Sequence, residues 1–354
     1  MPEQHDGPTA DEKGLILITG GAGYIGSHTV VALHEAGYRC VVLDNLANSS
    51  SSVLGGIAKI IGTTPDFVEA DVADTHTLDQ VFESRRIDAV IHLAGLKSVG
   101  ESVSSPLDYY SVNLESTLSL LRSMHRFECH TLLFSSSAAV YAPGQESPIT
   151  ETAAIQPTSP YGRSKQMIEQ ILVDTAASDD RWRVGLLRCF NPVGTHPSGS
   201  IGESPGSKPN NLMPSVMDVA AGRGETLRLF GDDYPTPDGT CIRDYIHVMD
   251  IARGIVAGLQ RVRAMTGTRV WNLGTGRGTS VRELVSAAEE ATGVEIPTSV
   301  TDRRPGDQPV AIAAIGRAQH ELSWDAEHDV ATMCDDHWRW HRLHAAPATT
   351  ASPP

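Results

Sequence analysis

The sequence lacks a basic surplus, a long apolar run and any closely paired cysteines, and each absence removes a class of function. Against 43 Asp and Glu stand 28 Lys and Arg, a formal net charge of −15. A chain this acidic is repelled by phosphate backbones and anionic lipid unless it carries a concentrated basic face. No such face is legible, so neither nucleic acid nor a membrane surface is expected as a partner. No apolar run approaches the roughly 20 residues of a membrane span, and the first dozen residues are polar and acidic, unlike a signal peptide. The five cysteines, Cys40, Cys129, Cys189, Cys241 and Cys334, are odd in number and far apart. Without a C-x-x-C pair they outline no metal or redox motif and read as reduced thiols. The expectations are a cytoplasmic protein and no metal.

What is present is an ordinary globular composition, 354 residues with 40% hydrophobic and 20% charged. At about 100–200 residues per domain, that length allows two lobes. The polar start and the Ala/Thr/Ser/Pro end bury too little apolar surface to order themselves, so flexible tails are expected over 1–13 and 345–354. Between them short apolar runs, Leu15 to Ile18, Cys40 to Leu43, Ala89 to Leu93, Thr131 to Ser135 and Val184 to Leu187, alternate with amphipathic stretches. That alternation predicts an α/β fold, a parallel sheet with helices on both faces. After Cys189 the texture changes, with Gly and Pro punctuating 192–214 and 231–239. Helices are expected near Leu212 to Gly222, Asp250 to Arg263, Val281 to Ala291 and Ala331 to His341. The expected division is a Rossmann-type, doubly wound domain over 14–189 and a smaller C-terminal α/β substrate lobe over 190–344. No internal repeat is visible.

Directly after the first apolar run comes Gly20-Gly21-Ala22-Gly23-Tyr24-Ile25-Gly26, followed by a helical stretch from Ser27 to Glu35. Glycines at 20, 23 and 26 suit a tight turn, close backbone approach to a pyrophosphate and helix-on-strand packing, while the helix N-terminus supplies N–H groups and the positive dipole end. The next strand ends at Asp44, near the ~20-residue offset of the carboxylate that accepts ribose hydroxyls. A carboxylate there repels a 2′-phosphate, which favours NAD over NADP. The alternative reading of Asp44 is a turn-starting residue before Asn45. Asp71, closing the run Phe67-Val68-Glu69-Ala70, is either near the adenine edge or a plain strand-end Asp.

Further on, Ser135-Ser136-Ser137 closes a strand, and Tyr161-Gly-Arg-Ser-Lys165 opens a helix. Separation by four puts Tyr161 and Lys165 on one helical face. A nearby ammonium and a cationic nicotinamide both favour tyrosinate, so the Tyr161 pKa is expected to fall from ~10 toward neutrality. Ser137 can share a hydrogen bond with the reacting hydroxyl. A lone Y-x-x-x-K is usually structural; after a Gly-rich turn and a strand-end Ser it describes hydride chemistry at a carbinol carbon.

With these residues in view, the sequence resembles the extended short-chain dehydrogenase/reductase superfamily and, within it, the UDP-glucose 4-epimerase family. The likeness runs from Leu15 to about His341. It is carried by 19–28 (TGGAGYIGSH), 92–102 (HLAGLKSVGES), 160–165 (PYGRSK), 189–194 (CFNPVG), 209–214 (PNNLMP) and 243–250 (RDYIHVMD). The resemblance implies Ser137, Tyr161 and Lys165 as catalytic residues. For NAD it implies the Gly20, Gly23 and Gly26 turn with Tyr24 and Ile25, then Asp44, Asn45, Leu46, Asn48 and Ser49, then Asp71 and Val72. Leu93, Ala94, Gly95, Lys97, Asn113 and Phe190 complete that set. For a UDP-hexose it implies Lys97, Asn191, Asn211, Leu212, Arg228, Leu229, Phe230, Tyr245 and Ala311 beside Ser137 and Tyr161, with Arg243 and Arg304 clamping the diphosphate and Asp307 close by. It further implies reversible 4-epimerisation through a 4-keto-hexose on tightly held NAD, and a homodimer through helices near Leu107 to Met124 and Ser164 to Ala177.

Other readings stay open. Related dehydratases carry Asp-Glu just after the catalytic Ser or Thr, where this chain has Ala138 and Ala139, which transfer no protons; the related decarboxylases also place Glu there. A net dehydrogenase is not excluded by the residues alone, and a non-enzymatic NAD-sensing protein is the alternative of a different class. Three positions depart from the family pattern. Cys189 replaces the usual Tyr, Ala142 the usual Gly, and Ala311 stands where glucose/galactose-selective members carry a Tyr that walls the pocket near C2. A small residue there either leaves room for an N-acetyl group or is a packing change filled by a neighbour.

Overall fold

A computed structural model describes residues 13–203, 211–304 and 306–344. Both expected tails, Lys13 apart, and Pro209 and Asn210 of the 209–214 stretch lie outside the described residues. Six strands in chain order are β1 (Leu15–Thr19), β2 (Arg39–Asp44), β3 (Asp66–Glu69), β4 (Ala89–His92), β5 (Thr131–Ser137) and β6 (Arg183–Cys189). Shorter or later ones are β7 (Asn191–Val193), β8 (Leu227–Phe230), β9 (Ile242–Arg243), β10 (Tyr245–His247), β11 (Gly267–Leu273), β12 (Thr279–Ser280), β13 (Thr298–Thr301) and β14 (Val310–Ala311). Seven form one sheet in the order β11-β6-β5-β4-β1-β2-β3, every pairing parallel. The fold is a doubly wound α/β fold of Rossmann type.

Its strands are apolar because both faces are covered. Ile16 and Ile18 of β1 pack on one face with Val30 and Leu33 of the helix Tyr24–Glu35 and with Ile255 and Leu259 of the helix Val248–Arg263. Leu17, between them, points the other way, with Leu120 and Met124 of the helix Pro106–Arg126 and Leu172 of the helix Pro160–Ser178. The side-chain period of two makes this alternation obligatory. Each fully buried Leu, Ile or Val contributes about 1.5–3 kcal/mol.

A third apolar cluster joins the helices Leu212–Ala220, Val281–Thr292 and Val330–His344 to β8 and β10, through Met213, Val216, Leu284, Met333 and Leu229. This is the smaller lobe, with β10-β7, β12-β9-β14 and β13-β8 as its small sheets. The single boundary read at Cys189 does not follow the sheet. β11 pairs along β6 from Gly267↔Arg183 to Leu273↔Cys189, and Val248–Arg263 covers the sheet in front of it. The chain thus leaves the large sheet at 189, starts the small lobe, and returns.

Candidate active site

A parallel sheet delivers the C-terminal ends of all its strands to one edge, and that edge gathers most of the sequence-predicted residues. Gly20 to Gly26 follow β1, Asp44 ends β2, Asp71 follows β3, Leu93 to Lys97 follow β4, Ser137 ends β5, and Phe190 follows β6. The order reverses between β1 and β4, where a crevice for a ligand opens in folds of this kind.

The turn after β1 fits a dinucleotide. Gly20 has φ +71°, and a Cβ there would lie 2.6 Å from the Ala94 nitrogen; a Cβ on Gly26 would lie 2.2 Å from the Gly20 carbonyl oxygen. Only glycine permits that conformation and approach without strain. Gly23 is the N-cap of Tyr24–Glu35, and no side chain caps that helix, which leaves its first-turn amides for an anion. Asp44 is buried and accepts from Ala22 N at 3.0 Å, Leu46 N at 2.9 Å and the Ser49 hydroxyl at 3.0 Å. Its negative charge therefore stands where a 2′-phosphate would be repelled. Asn45 donates to Asp71 at 2.9 Å, linking the ends of β2 and β3, and Asn48 is exposed beside them. Asn113 is buried and holds the loop after β4 by bonding Leu96 on both sides, at 2.8 and 3.2 Å, and Ser164 at 3.0 Å. Ile25 and Val72 pack into the two sheet-covering cores, so any ligand contact from Val72, 4% exposed, is through its backbone.

Ser159 caps the helix Pro160–Ser178 by accepting from Gly162 N at 3.1 Å, with Pro160 at its first position. That start places Tyr161 and Lys165 in the first two turns, facing β5. Lys165 Nζ donates to the Ser135 carbonyl at 2.8 Å and lies 6.0 Å from the Tyr161 ring centroid. The fall of Tyr161 toward neutrality expected from the sequence is not a property of the chain itself. Burial pushes its pKa up to about 12; the Ser137 hydroxyl acts the other way, and the neighbouring Cys189 adds to the rise. Burial likewise lowers Lys165 to about 8, against the opposing influence of Cys189 and Glu169. Cys189 itself is buried, with its thiol raised to about 11.

On the small-lobe side, Arg243 donates to the Gln308 carbonyl at 2.7 Å and pairs with Asp307 at 3.3 Å. Asp307 N donates to the Arg304 carbonyl at 3.1 Å, and the Arg304 guanidinium stacks 3.7 Å from the Phe230 ring centroid, with Arg228 at 5.7 Å from the same ring. Residues 61 apart in sequence thus meet at one turn. Ala311 lies opposite Arg243 in the register of β14 with β9 and packs beside Phe190. Asn191 is exposed, its amide bonded to the Asp244 carbonyl. Leu229, 1% exposed, and Tyr245, 5% exposed, point into the small lobe's core, so neither side chain faces a ligand directly.

Two residues were missed. Glu203 is buried and receives Lys97 Nζ at 3.3 Å and Asn211 Nδ2 at 2.9 Å, joining residues assigned to cofactor and substrate. Nothing in the Gly/Pro-rich stretch around it marks it. Asp244 is fully buried and accepts from Thr275 N, Gly276 N, Ala313 N and the Thr275 hydroxyl, which sets the backbone beside Arg243 and Ala311. It lies within the RDYIHVMD stretch, but its partners are 31 to 69 residues away.

Fold and site define a dinucleotide-binding α/β protein with a serine, tyrosine and lysine at the sheet's C-terminal edge. The chain belongs to the NAD dependent epimerase/dehydratase family, which its residues 16–274 match. It is 52% identical over 325 residues to the UDP-glucose 4-epimerase of Bacillus subtilis, covering 92% of this chain and 96% of that one. It is similar in structure to a UDP-glucose-4-epimerase from Stenotrophomonas maltophila with bound NAD and formylated UDP-arabinopyranose, with TM-score 0.91, 46% identity and coverage of 93% and 98%. It also resembles the UDP-Glc/GlcNAc 4-epimerase of Campylobacter jejuni, with TM-score 0.82, 34% identity and coverage of 93% and 99%.

Proposed function

We propose that this protein is an NAD-dependent UDP-glucose 4-epimerase that interconverts UDP-galactose and UDP-glucose. The observation that carries the reading is that Ser137, Tyr161 and Lys165 converge while the 3₁₀ turn after Ser137 presents Ala138 and Ala139, side chains with no proton to give. One acid–base residue suffices for reversible oxidation of a hydroxyl; elimination of water needs more.

In this reading the Gly20 to Gly26 turn and Asp44 hold the dinucleotide, and Ser137 aligns the sugar 4-hydroxyl on the Tyr161 oxygen. NAD+ supplies, when bound, a two-electron acceptor beside the sugar carbon. Ionised to tyrosinate beside the positive charge of the bound nicotinamide, Tyr161 takes the hydroxyl proton as the 4-keto sugar forms and returns it after the hexose has turned about its diphosphate. Arg243 and Arg304 keep that diphosphate in place; a planar multi-donor cation suits it. Lys165 keeps the helix start docked on β5 through its bond to the Ser135 carbonyl.

The test is purified protein with UDP-galactose and no added nucleotide. UDP-glucose should accumulate without net NADH. No product even with added NAD+ overturns the reading, and a 4-keto-6-deoxy sugar points to a dehydratase.

A wider substrate range is supported by Ala311, small and beside Phe190 and Arg243. UDP-N-acetylgalactosamine should also turn over, and Ala311→Tyr should lose that substrate selectively; no turnover beside robust UDP-galactose activity sinks this part. The protein is further proposed to act as a cytoplasmic homodimer. Free cysteines, four of them buried, suit a reducing compartment, and among the described residues no helix is long and apolar enough to cross a membrane. Val103 at 68% and Leu107 at 79% exposure, with Val112, Met167 and Val173, line the outer side of the helices Val99–Ser104, Pro106–Arg126 and Pro160–Ser178, a surface suited to a second copy. Leu107→Glu should shift sedimentation from dimer toward monomer; a wild type that sediments as a monomer removes the proposal.

A further inference from the structure

At the sheet's opposite edge, His125, His130 and Asp179 converge so that one ligating atom of each lies within 4.8 Å of the others. His125 sits in the last turn of the helix Pro106–Arg126, Asp179 is the C-cap of the helix Pro160–Ser178, and His130 immediately precedes β5. No sequence motif joins them.

His130 carries the argument. Its residue is 8% exposed, and its Nδ1 lies 3.1 Å from the Glu128 carbonyl oxygen. A carbonyl only accepts, so Nδ1 holds the proton and Nε2 of the neutral ring presents a lone pair. That Nε2 is buried and has no hydrogen-bond partner among the described residues. Trp182 packs edge-on against the ring, centroids 5.1 Å apart at 81°, and holds its plane. An imidazole oriented by a backbone carbonyl on one nitrogen and open on the other is the arrangement of a metal-binding histidine.

We propose that His125, His130 and Asp179 bind a divalent transition-metal ion, zinc being well matched to two imidazoles and one carboxylate with an open fourth position. Arg181 is the competitor. It covers both Asp179 oxygens, Oδ1 through its backbone N at 3.0 Å and Nε at 3.1 Å, and Oδ2 through Nε at 3.1 Å and a terminal guanidinium nitrogen at 2.7 Å, and it also pairs with Glu128. An incoming ion therefore has to displace the guanidinium from one Asp179 oxygen, and Glu128 retains the displaced arginine. The bound ion ties the ends of two packed helices, which carry Asn113, Tyr161 and Lys165, to the start of β5. The seven residues of β5 separate the site from Ser137 by about 20 Å, so the ion stabilises the fold without entering the reaction.

The test is calorimetric titration of Zn2+ into the full-length, untagged protein carrying its NAD, with His125→Ala, Asp179→Asn and Arg181→Gln variants. His125 is exposed and Asp179 partly so, hence both variants should fold. Wild type should take one zinc per chain, at least about tenfold more weakly in His125→Ala and in Asp179→Asn and more tightly in Arg181→Gln. Zinc should raise the unfolding temperature of wild type more than that of His125→Ala, with zinc-free turnover of UDP-galactose equal in the two. Equal zinc affinity in wild type and the two ligand variants, or no saturable binding below about 1 mM, overturns the proposal.

Discussion

Lys165 Nζ is bound to the carbonyl of Ser135 at 2.8 Å, two residues before Ser137 on the same strand. The bond ties the first turns of Pro160–Ser178 to the end of β5, so the lysine helps set where Tyr161 stands relative to Ser137. Lys165→Met keeps most of the volume and removes both bond and charge. Turnover of UDP-galactose should fall by about 10²–10⁴; activity within threefold of wild type would show that the lysine is only filler.

Tyr161→Phe removes the one hydroxyl placed to move the proton. The expected loss is also about 10²–10⁴ in kcat, with nucleotide still released from the denatured protein in stoichiometric amount. Retained turnover, or loss of bound nucleotide, contradicts the role assigned.

Ser137→Ala should act on pH dependence as well as rate. Burial raises the phenol to about 12 and the Ser137 hydroxyl partly offsets that, so its removal leaves only groups that raise it. Tyrosinate then forms at higher pH, and the acid limb of kcat/KM against pH should move upward. An unmoved limb argues that another group titrates.

Two glycines should respond oppositely to alanine. Gly20→Ala meets the Ala94 backbone at 2.6 Å with φ +71° and should yield protein without bound NAD or no soluble protein. At Gly55, inside Ser52–Ile61, a Cβ meets nothing within 4 Å, and alanine should add about 0.4–1 kcal/mol in urea denaturation. Equal effects of the two would contradict the close approach at residue 20.

Acid should weaken the fold earlier than carboxylate protonation does. Burial lowers His28, His92 and His337 from their ordinary 6.5 to about 3. Between those values the unfolded chain holds more protons than the folded one, so stability falls as pH falls from about 6.5 toward 3. The slope approaches about 1.4 kcal/mol per pH unit for each histidine. Urea midpoints measured from pH 7 to 5 should show the decline, and His28→Gln should flatten it; a flat wild-type profile removes the explanation.

The local features were legible because their physics is local. Tyr161 and Lys165 share a face through a spacing of four, the glycine turn announces its own geometry, and the five sequence-predicted strands all recur as β1, β2, β4, β5 and β6. β11 was not read, since Gly267–Leu273 alternates less cleanly and pairs with a strand more than 80 residues earlier. The orientation of Leu229 and Tyr245 into the core, and the anchoring roles of Glu203 and Asp244, depend on partners that no pattern in the chain places beside them.

The alternation of apolar and amphipathic runs, the glycine turn and the Y-x-x-x-K spacing were enough, by themselves, to point to an α/β dinucleotide-binding chain and to single out Ser137, Tyr161 and Lys165 as its candidate site. Composition and short-range spacing act on neighbours within a turn or two of backbone, and those quantities are written along the chain. The tertiary structure alone decided that the chain returns to the large sheet, that burial outweighs hydrogen bonding at Tyr161, and that His125, His130 and Asp179 meet. Burial and the meeting of distant side chains are properties of the packed molecule, because they are set by what the folded chain removes from water.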